Sequence, residues 1–119
     1  MTNKIKQELD KLIFIKPALL ISEGWLIGNS VKNILEDKNP KDFDIIVPSR
    51  ENFQKVVSYL NSIKNPIINS NGGLKYILEY KTVTLVIDIW CEELSHFLLN
   101  SNNINYIYNL KRNLLINKL

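Results

Sequence analysis

Two aspartates, Asp42 and Asp44, have the types and spacing best suited to chemistry, because they lie two positions apart in the apolar run Asp42–Val47. Residues i and i+2 of a strand point to the same face. Two adjacent carboxylates repel each other, and a divalent cation is the usual compensation. A glycine turn at Gly28 precedes a short predicted helix, and the N-terminus of a helix is a common phosphate-binding site. The pattern indicates metal-assisted phosphoryl or nucleotidyl transfer.

A third carboxylate, Asp88, interrupts a second apolar run, Thr82–Trp90. Strand propensity disfavours an aspartate there, so its presence needs a reason. Period-two alternation places Asp88 on one face of the predicted strand and Leu85, Ile87 and Ile89 on the other. Simpler interpretations remain open at this point. They are a salt bridge from Asp88 to a lysine and, for the aspartate pair, a solvated edge strand or an Asx turn.

The rest of the chain predicts the elements that position these residues. The predicted helices are Asn3–Ile15, a short turn from Pro17 to about Ser22, Ser30–Asp37, a helix capped by Ser49 that carries Phe53, Val56, Val57, Leu60 and Ile63, and two closing helices, Glu92–Leu99 and Ile104–Leu119. The predicted strands are Trp25–Ile27, Asp42–Val47, Ile67–Ile68, Leu74–Tyr80 and Thr82–Trp90, with hairpin turns at Asn71-Gly72-Gly73 and near Lys81. We therefore expect about five strands flanked by helices.

Composition predicts one domain over residues 1–119. The hydrophobic content of 45% and the charged content of 23% are those of an ordinary soluble protein. No apolar run is long enough to span a bilayer, and the N-terminus lacks a secretory signal. The lone Cys91 excludes an internal disulfide and fits a reducing cytoplasm. A net charge of +3 mildly favours an anionic partner such as a nucleotide or RNA.

Three motifs follow one another between Trp25 and Trp90. Gly28-Asn-Ser-Val-Lys-Asn33 is followed by Pro40-Lys-Asp-Phe-Asp-Ile45, and Gly72-Gly-Leu-Lys75 precedes Asp88-Ile-Trp90. This order resembles the DNA polymerase beta-like nucleotidyltransferase superfamily, most closely the head domain of CCA-adding enzymes and bacterial poly(A) polymerases. Their head motif runs Gly-Gly-x-Val-Arg-Asp and then Pro-Lys-Asp-Phe-Asp-Ile. The first helix and the C-terminal segment lie outside the resemblance.

The resemblance implies an α/β (α+β) nucleotidyltransferase fold with a mixed, mostly antiparallel sheet. It implies transfer of a nucleoside monophosphate from an NTP to a hydroxyl of RNA, a protein or a small molecule, with two Mg²⁺ ions that Mn²⁺ can replace. The residues implied are Asp42 and Asp44 for both metals, Asp88 for the ion at the acceptor and as base, Gly28, Asn29 and Ser30 for the β- and γ-phosphates, and Lys32 or Lys75 for added phosphate charge.

This chain departs from the family motif at three positions. Asn29 replaces the second glycine, and Lys32-Asn33 replaces Arg-Asp. The neck and body of CCA-adding enzymes have no counterpart, so we expect a minimal member of the family and not a complete CCA-adding enzyme. The alternative is a catalytically weak or inactive relative that binds nucleotide or a partner, in a toxin–antitoxin or regulatory complex. A split transferase ranks third. We expect a partner subunit or a homodimer, and no membrane association.

The other polar and aromatic residues have simpler interpretations. Trp90 is interpreted as a core or pocket-wall aromatic in preference to a base-stacking one, and His96 as a packing or surface residue. Lys111, Arg112 and Lys118 are predicted on the solvated face of the last helix.

Overall fold

The computed structural model describes residues 1–69, 72–93 and 104–118. This part of the chain forms four helices and seven strands. The helices are α1 (Thr2–Asp10), α2 (Ile15–Ser22), α3 (Asn29–Leu35) and α4 (Arg50–Asn61). The strands are β1 (Trp25–Ile27), β2 (Asp42–Val47), β3 (Ile67–Ile68), β4 (Leu74–Tyr80), β5 (Val83–Cys91), β6 (Tyr106–Asn109) and β7 (Leu114–Asn117).

The strands form a single mixed sheet in the order β3-β4-β5-β2-β1-β6-β7. Strands β2 and β5 pair in parallel, and the other five neighbouring pairs are antiparallel. The expected α+β class with a mostly antiparallel sheet is confirmed in this coarse form. The expected strand number of about five is wrong, because the described residues contain seven.

One face of the sheet, here called the covered face, packs against the helices. Its strand residues include Phe43, Ile45, Ile87 and Ile89, which are all fully buried. Helix α4 begins where predicted, because the Ser49 hydroxyl accepts a hydrogen bond from the Asn52 N–H at 3.1 Å. Buried residues of all four helices join this core. Because alternate strand residues supply it, the residues between them point to the opposite face.

That opposite face, here called the open face, carries both charge and apolar groups. A second, smaller apolar cluster contains Ile27, Ile46, Ile104 and Ile107, with two partly buried tryptophans packed against it, Trp25 and Trp90. The interpretation of Trp90 as a core or wall aromatic agrees with this packing. The predicted division of β5, with Leu85, Ile87 and Ile89 on the face away from Asp88, is confirmed by their burial.

The predicted closing helix over Ile104–Leu119 is wrong, because the described part of this segment is the β6–β7 hairpin. Strand β6 pairs with β1, which is far away in sequence. A buried asparagine, Asn109, holds the hairpin: its side-chain oxygen accepts from the Arg112 N–H, and its Nδ2 donates to the Glu23 carbonyl at 3.2 Å. Lys111 also forms an ion pair with Glu23. These contacts with distant residues stabilise the hairpin, although the local spacing of apolar residues favours a helix.

Two helix predictions need smaller corrections. Helix α1 ends at Asp10 instead of Ile15, and α2 begins at Ile15, because Phe14 between them has a positive φ of 74° that ends a helix. The predicted helix Glu92–Leu99 lies outside the described residues from position 94 onward, as does His96. In the described segments, the helices are too short or too polar for any of them to cross a membrane.

Candidate active site

The aspartates of β2 alternate with the residues of the apolar core. Phe43 and Ile45 are fully buried on the covered face, while Asp42 is exposed and Asp44 partly buried on the open face. This is the arrangement expected from the period-two pattern. The strand therefore presents two carboxylates on a face that its own core residues do not occupy.

The parallel pairing of β2 with β5 brings the third aspartate beside them. Asp44 lies directly opposite Asp88, and Asp88 lies opposite Lys75 on β4. The same row continues on the other side through Ile27, which pairs with Asp44. One line across four strands thus carries an apolar residue, two acids and a lysine. The sequence placed these residues on separate strands, and the register makes two of the acids direct neighbours.

The charge of this row is reflected in the pKa values of its acids. Burial raises the pKa of Asp44 to about 6, with the negative charges of Asp88 and Asp42 adding to the effect and Lys75 opposing it. Burial also raises the pKa of Asp88, where Lys75 opposes the shift and Asp42 adds to it. Lys75 makes no salt bridge of 4 Å or less with a described residue. One lysine therefore offsets only part of the repulsion among three acids.

The carboxylates provide the donor chemistry for a hard cation, because Mg²⁺ prefers oxygen ligands. As the side chains lie, however, no group of three or more His, Cys, Asp or Glu residues within the described residues is arranged to hold a metal ion. The backbone register brings Asp44 and Asp88 together. Convergence of Asp42, Asp44 and Asp88 on one ion is not seen in this arrangement of the side chains.

The glycine turn lies directly against the acid row. Gly28 has φ 80° and ψ −150°, a backbone conformation that essentially only glycine adopts. A Cβ built on Gly28 would lie 3.3 Å from Oδ2 of Asp44, which is a tight contact. Glycine is therefore needed here for backbone geometry and for the close approach of the Asp44 carboxylate, whatever else the turn binds.

The residues after Gly28 differ in their exposure. Asn29 is exposed and begins α3, and its φ is not in the positive range, so this position does not require a second glycine. Ser30 is 1% exposed, and its hydroxyl has no hydrogen-bond partner in the described part of the chain. Lys32 is exposed and makes no ion pair with a described residue. No contact among the described residues places the Lys32 side chain beside the carboxylates of Asp42, Asp44 or Asp88.

The second glycine motif forms the predicted hairpin turn between β3 and β4. The Asn69 side chain accepts from the Gly73 N–H at 2.9 Å, and the Gly72 N–H donates to the Asn69 carbonyl at 3.2 Å. A Cβ on Gly73 would lie 2.7 Å from the Trp90 ring. Gly73 thus lets the turn pack against the indole, which anchors this hairpin beside Lys75. The plain structural interpretation of the two glycines is supported.

Sequence reasoning missed a shallow cavity on the open face. It has a volume of about 200 Å³ and is lined by Trp25, Glu92, Ile107 and Ile116. The guanidinium of Arg112 lies 5.5 Å from the centre of the Trp25 ring, within cation–π range. Strand β6 is buried on both faces and does not alternate between apolar and polar residues, so no local pattern in the sequence indicated this cavity.

Two larger cavities lie beside α1 and are not lined by any of the three acids. Their volumes are about 250 and 340 Å³, and both are lined by Glu8, Lys11 and Asn39. The larger one also contains Leu85 of the covered face, so it opens on the helical side of the sheet.

Comparison of the chain with family models, with curated proteins and with solved structures finds no significant match in any of the three.

Proposed function

We propose that this chain is a minimal, metal-dependent nucleotidyltransferase of the DNA polymerase beta type. It moves a nucleoside monophosphate from an NTP to a hydroxyl of RNA, a protein or a small molecule. The observation that carries the proposal is the register that sets Asp44 directly opposite Asp88, with the Gly28 turn so close that a Cβ on Gly28 would lie 3.3 Å from the Asp44 carboxylate. Two neighbouring carboxylates that repel each other lower the stability of the fold. Their position beside a glycine turn suits the binding of a cation next to a phosphate.

The three acids then divide into a pair and a single residue. Asp42 and Asp44 would hold both Mg²⁺ ions, and Asp88 would complete the site on the acceptor side. When bound, the ions supply positive charge for the attacking and leaving oxygens of an in-line displacement. Burial, and after it the repulsion from Asp88 and Asp42, raises the pKa of Asp44 to about 6, and a bound cation would relieve that repulsion.

In the transfer itself, the acceptor oxygen forms a bond to the α-phosphorus of the NTP. The bond from that phosphorus to the bridging oxygen of the β-phosphate breaks, and pyrophosphate leaves with the electron pair. The acceptor proton passes to the Asp88 carboxylate. Burial raises the pKa of Asp88, which brings it closer to the operating pH at which a general base is most effective.

The phosphate-binding half of the site uses the chain that follows β1. The backbone amides of Gly28, Asn29 and Ser30, with the Ser30 hydroxyl, would hold the β- and γ-phosphates, and Lys32 or Lys75 would add positive charge. Support comes from the buried Ser30 hydroxyl, which has no hydrogen-bond partner among the described residues, and from the helical backbone of Asn29, which tolerates the loss of the second glycine. Lys75 lies opposite Asp88 in the strand register and acts on the pKa of both Asp44 and Asp88.

The test is an incubation of the protein with Mg²⁺ or Mn²⁺ and each labelled NTP, with and without tRNA, followed by pyrophosphate and label-transfer assays. We expect Asp42→Asn and Asp44→Asn each to lower the rate by roughly 100-fold or more, since a metal ligand is worth several kcal/mol in the transition state. Asp37→Asn is the matched control: this exposed residue pairs with Lys4 and has a φ of 60° that asparagine accepts. Equal rates for wild type and Asp44→Asn would contradict the proposal that this protein is a metal-dependent nucleotidyltransferase.

The second candidate is a nucleotidyltransferase-fold protein that binds nucleotide or a protein partner without catalysis. The observation that favours it is the lack of a converged metal-binding group of three in the described residues, together with Lys32-Asn33 in place of Arg-Asp. Calorimetric titration with ATP, in the presence and absence of Mg²⁺, separates the two. ATP binding that is independent of Mg²⁺ and unchanged in Asp44→Asn, with no label transfer, supports the second candidate.

A further inference from the structure

The shallow cavity on the open face lies in line with the acid row. Ile27 pairs with Asp44 on one side and with Ile107 on the other, and Ile107 pairs with Ile116. A single cross-strand row therefore runs from the carboxylates to two of the residues that line the cavity. Because neighbouring strands are roughly 5 Å apart, Ile107 lies about 10 Å from Asp44. That separation is short enough for one ligand to reach both places.

The cavity extends from that row toward Trp25, whereas the glycine turn lies just beyond the row in the other direction along β1. Along β1 the chain runs from Trp25, which lines the cavity, through Ile27, which is in the row, to Gly28, where a Cβ would lie 3.3 Å from the Asp44 carboxylate. In an in-line displacement the attacking hydroxyl and the leaving pyrophosphate lie on opposite sides of the phosphorus. If the phosphates lie at Gly28, the side of the row that faces Trp25 is the side of the acceptor.

The lining of the cavity is suited to a flat ring with a polar edge. Trp25, Ile107 and Ile116 form the apolar walls, and Glu92 is the one charged lining residue, with no ion pair to a described residue. The volume of about 200 Å³ is below the 300–1,000 Å³ of pockets for drug-sized ligands, so it suits a single ring system. Glu92 can accept hydrogen bonds from the exocyclic amine of a base.

Charge next to the cavity favours a nucleic-acid strand over an uncharged ligand. The Arg112 guanidinium lies in the β6–β7 turn, 5.5 Å from the centre of the Trp25 ring, while the neighbouring Lys111 is paired with Glu23. Aromatic side chains that stack a base, with basic side chains that contact the backbone phosphates, are the usual means of holding single strands. The net charge of +3 is consistent with such a partner.

We infer that this cavity holds the terminal base of an RNA acceptor, stacked on Trp25, so that the ribose hydroxyl of that nucleotide faces Asp88 and Asp44. This inference rests on the proposed function and adds the class of acceptor to it. The base is read by Glu92, and Arg112 contacts the adjoining phosphate. The triphosphate substrate and the acceptor then approach the acids from opposite ends of β1.

The test is an NMR titration of the metal-free protein with adenosine and cytidine, in the absence of any NTP. The two tryptophans give separate indole N–H signals. We expect a saturable shift of the Trp25 signal and little change for Trp90, which packs on Gly73. N-acetyltyrosine amide serves as the probe for a protein acceptor. Saturation of Trp25 by that compound and not by the nucleosides would overturn an RNA acceptor, as would the absence of any saturable shift.

Strand β7 offers a matched pair of variants. Ile116 lines the cavity and Leu114 does not, yet both lie on the same strand and each is 41% exposed. We expect Ile116→Glu to weaken nucleoside binding about tenfold, because it places a carboxylate against the bound ring. Leu114→Glu should leave it within about twofold. Equal weakening by the two variants would overturn the assignment of the cavity.

These outcomes are distinguishable from failure of the proposed function, because nucleoside binding is measured without transfer. Label transfer with no Trp25 shift would overturn the assignment of the cavity and support the proposed nucleotidyltransferase activity. A specific Trp25 shift without label transfer would support the nucleoside site and overturn the enzyme. In an active protein, Ile116→Glu should raise the KM for an oligoribonucleotide acceptor about tenfold and leave the KM for the NTP unchanged.

Discussion

The two faces of β2 and β5 are built from alternate residues of the same strands and have opposite chemistry. The covered face presents Phe43 and Ile87, which are fully buried under the helices, while the open face presents Asp44 and Asp88 side by side. The first arrangement lowers the free energy of the fold through apolar burial. The second raises it through repulsion and desolvation. A pair of strands can therefore be fixed in place by one face and leave the other face available for chemistry.

The largest expected effect on stability comes from shortening a buried side chain of the covered face. Ile87→Ala should lower the free energy of unfolding by about 3 kcal/mol, because it leaves a cavity at a fully buried position. Val86→Ala, at the adjacent position on the open face, should cost about 1 kcal/mol or less, since Val86 is only partly buried. Urea denaturation of both variants measures the difference. Equal losses would show that the two faces are not energetically distinct.

An intermediate effect comes from removing one charge of the open face. The folded pKa of Asp44 of about 6 lies above its ordinary value of 3.8, so the folded state binds the proton more tightly than the unfolded state. The contribution of Asp44 to wild-type stability should therefore be greatest below about pH 4 and be lost as the pH rises from about 4 to 6. Asp44→Asn should remove this loss and be more stable than wild type by at most about 2 kcal/mol at pH 7.5.

Urea denaturation between pH 3.5 and 7.5, in buffer containing EDTA, checks this prediction. The advantage of Asp44→Asn should be absent at pH 3.5 and grow through the window from about pH 4 to 6. Asp37→Asn, which changes an exposed aspartate, should show no such growth. A variant Asp44→Asn that is less stable than wild type at pH 7.5 would show that the carboxylate contributes to folding and is not merely tolerated.

The smallest expected effect comes from the lysine of the acid row. Lys75 opposes the pKa increases of Asp44 and Asp88, so Lys75→Met should raise the pKa of both carboxyl groups further. The cost in stability at pH 7.5 should be below about 1 kcal/mol, since such partly exposed charges are screened by solvent. Carbon-detected NMR titration of the carboxyl groups measures the shift. An unchanged pKa at both aspartates would show that Lys75 has no electrostatic effect on the acids of the row.

The sequence was sufficient for the acid-bearing strands because their signals are local. The alternation in Asp42–Val47 and around Asp88 predicts both the strands and the faces on which the carboxylates lie, and Gly28 marks the turn. The direct pairing of Asp44 with Asp88 could not be read locally, because it depends on a parallel register between distant segments.

The C-terminal hairpin was mispredicted for the same reason. Apolar residues such as Ile104, Ile107 and Leu115 also fit helical spacing, and strand β6 is buried on both faces, which weakens its alternation. What fixes the strand is pairing with β1 and the contacts of Asn109 with residues some 85 positions earlier. The cavity beside Trp25 depends on that hairpin, so it was invisible from the sequence.

The central claim is that the open face of β2 and β5 holds divalent cations, and anomalous diffraction from crystals soaked with Mn²⁺ and a non-hydrolysable NTP analogue tests it most directly. We predict manganese peaks in contact with carboxylate oxygens of Asp42, Asp44 and Asp88, with the analogue's phosphates at the Gly28 turn. Crystals that show the bound analogue without a peak at these carboxylates, or with the three side chains pointing apart, would contradict the account.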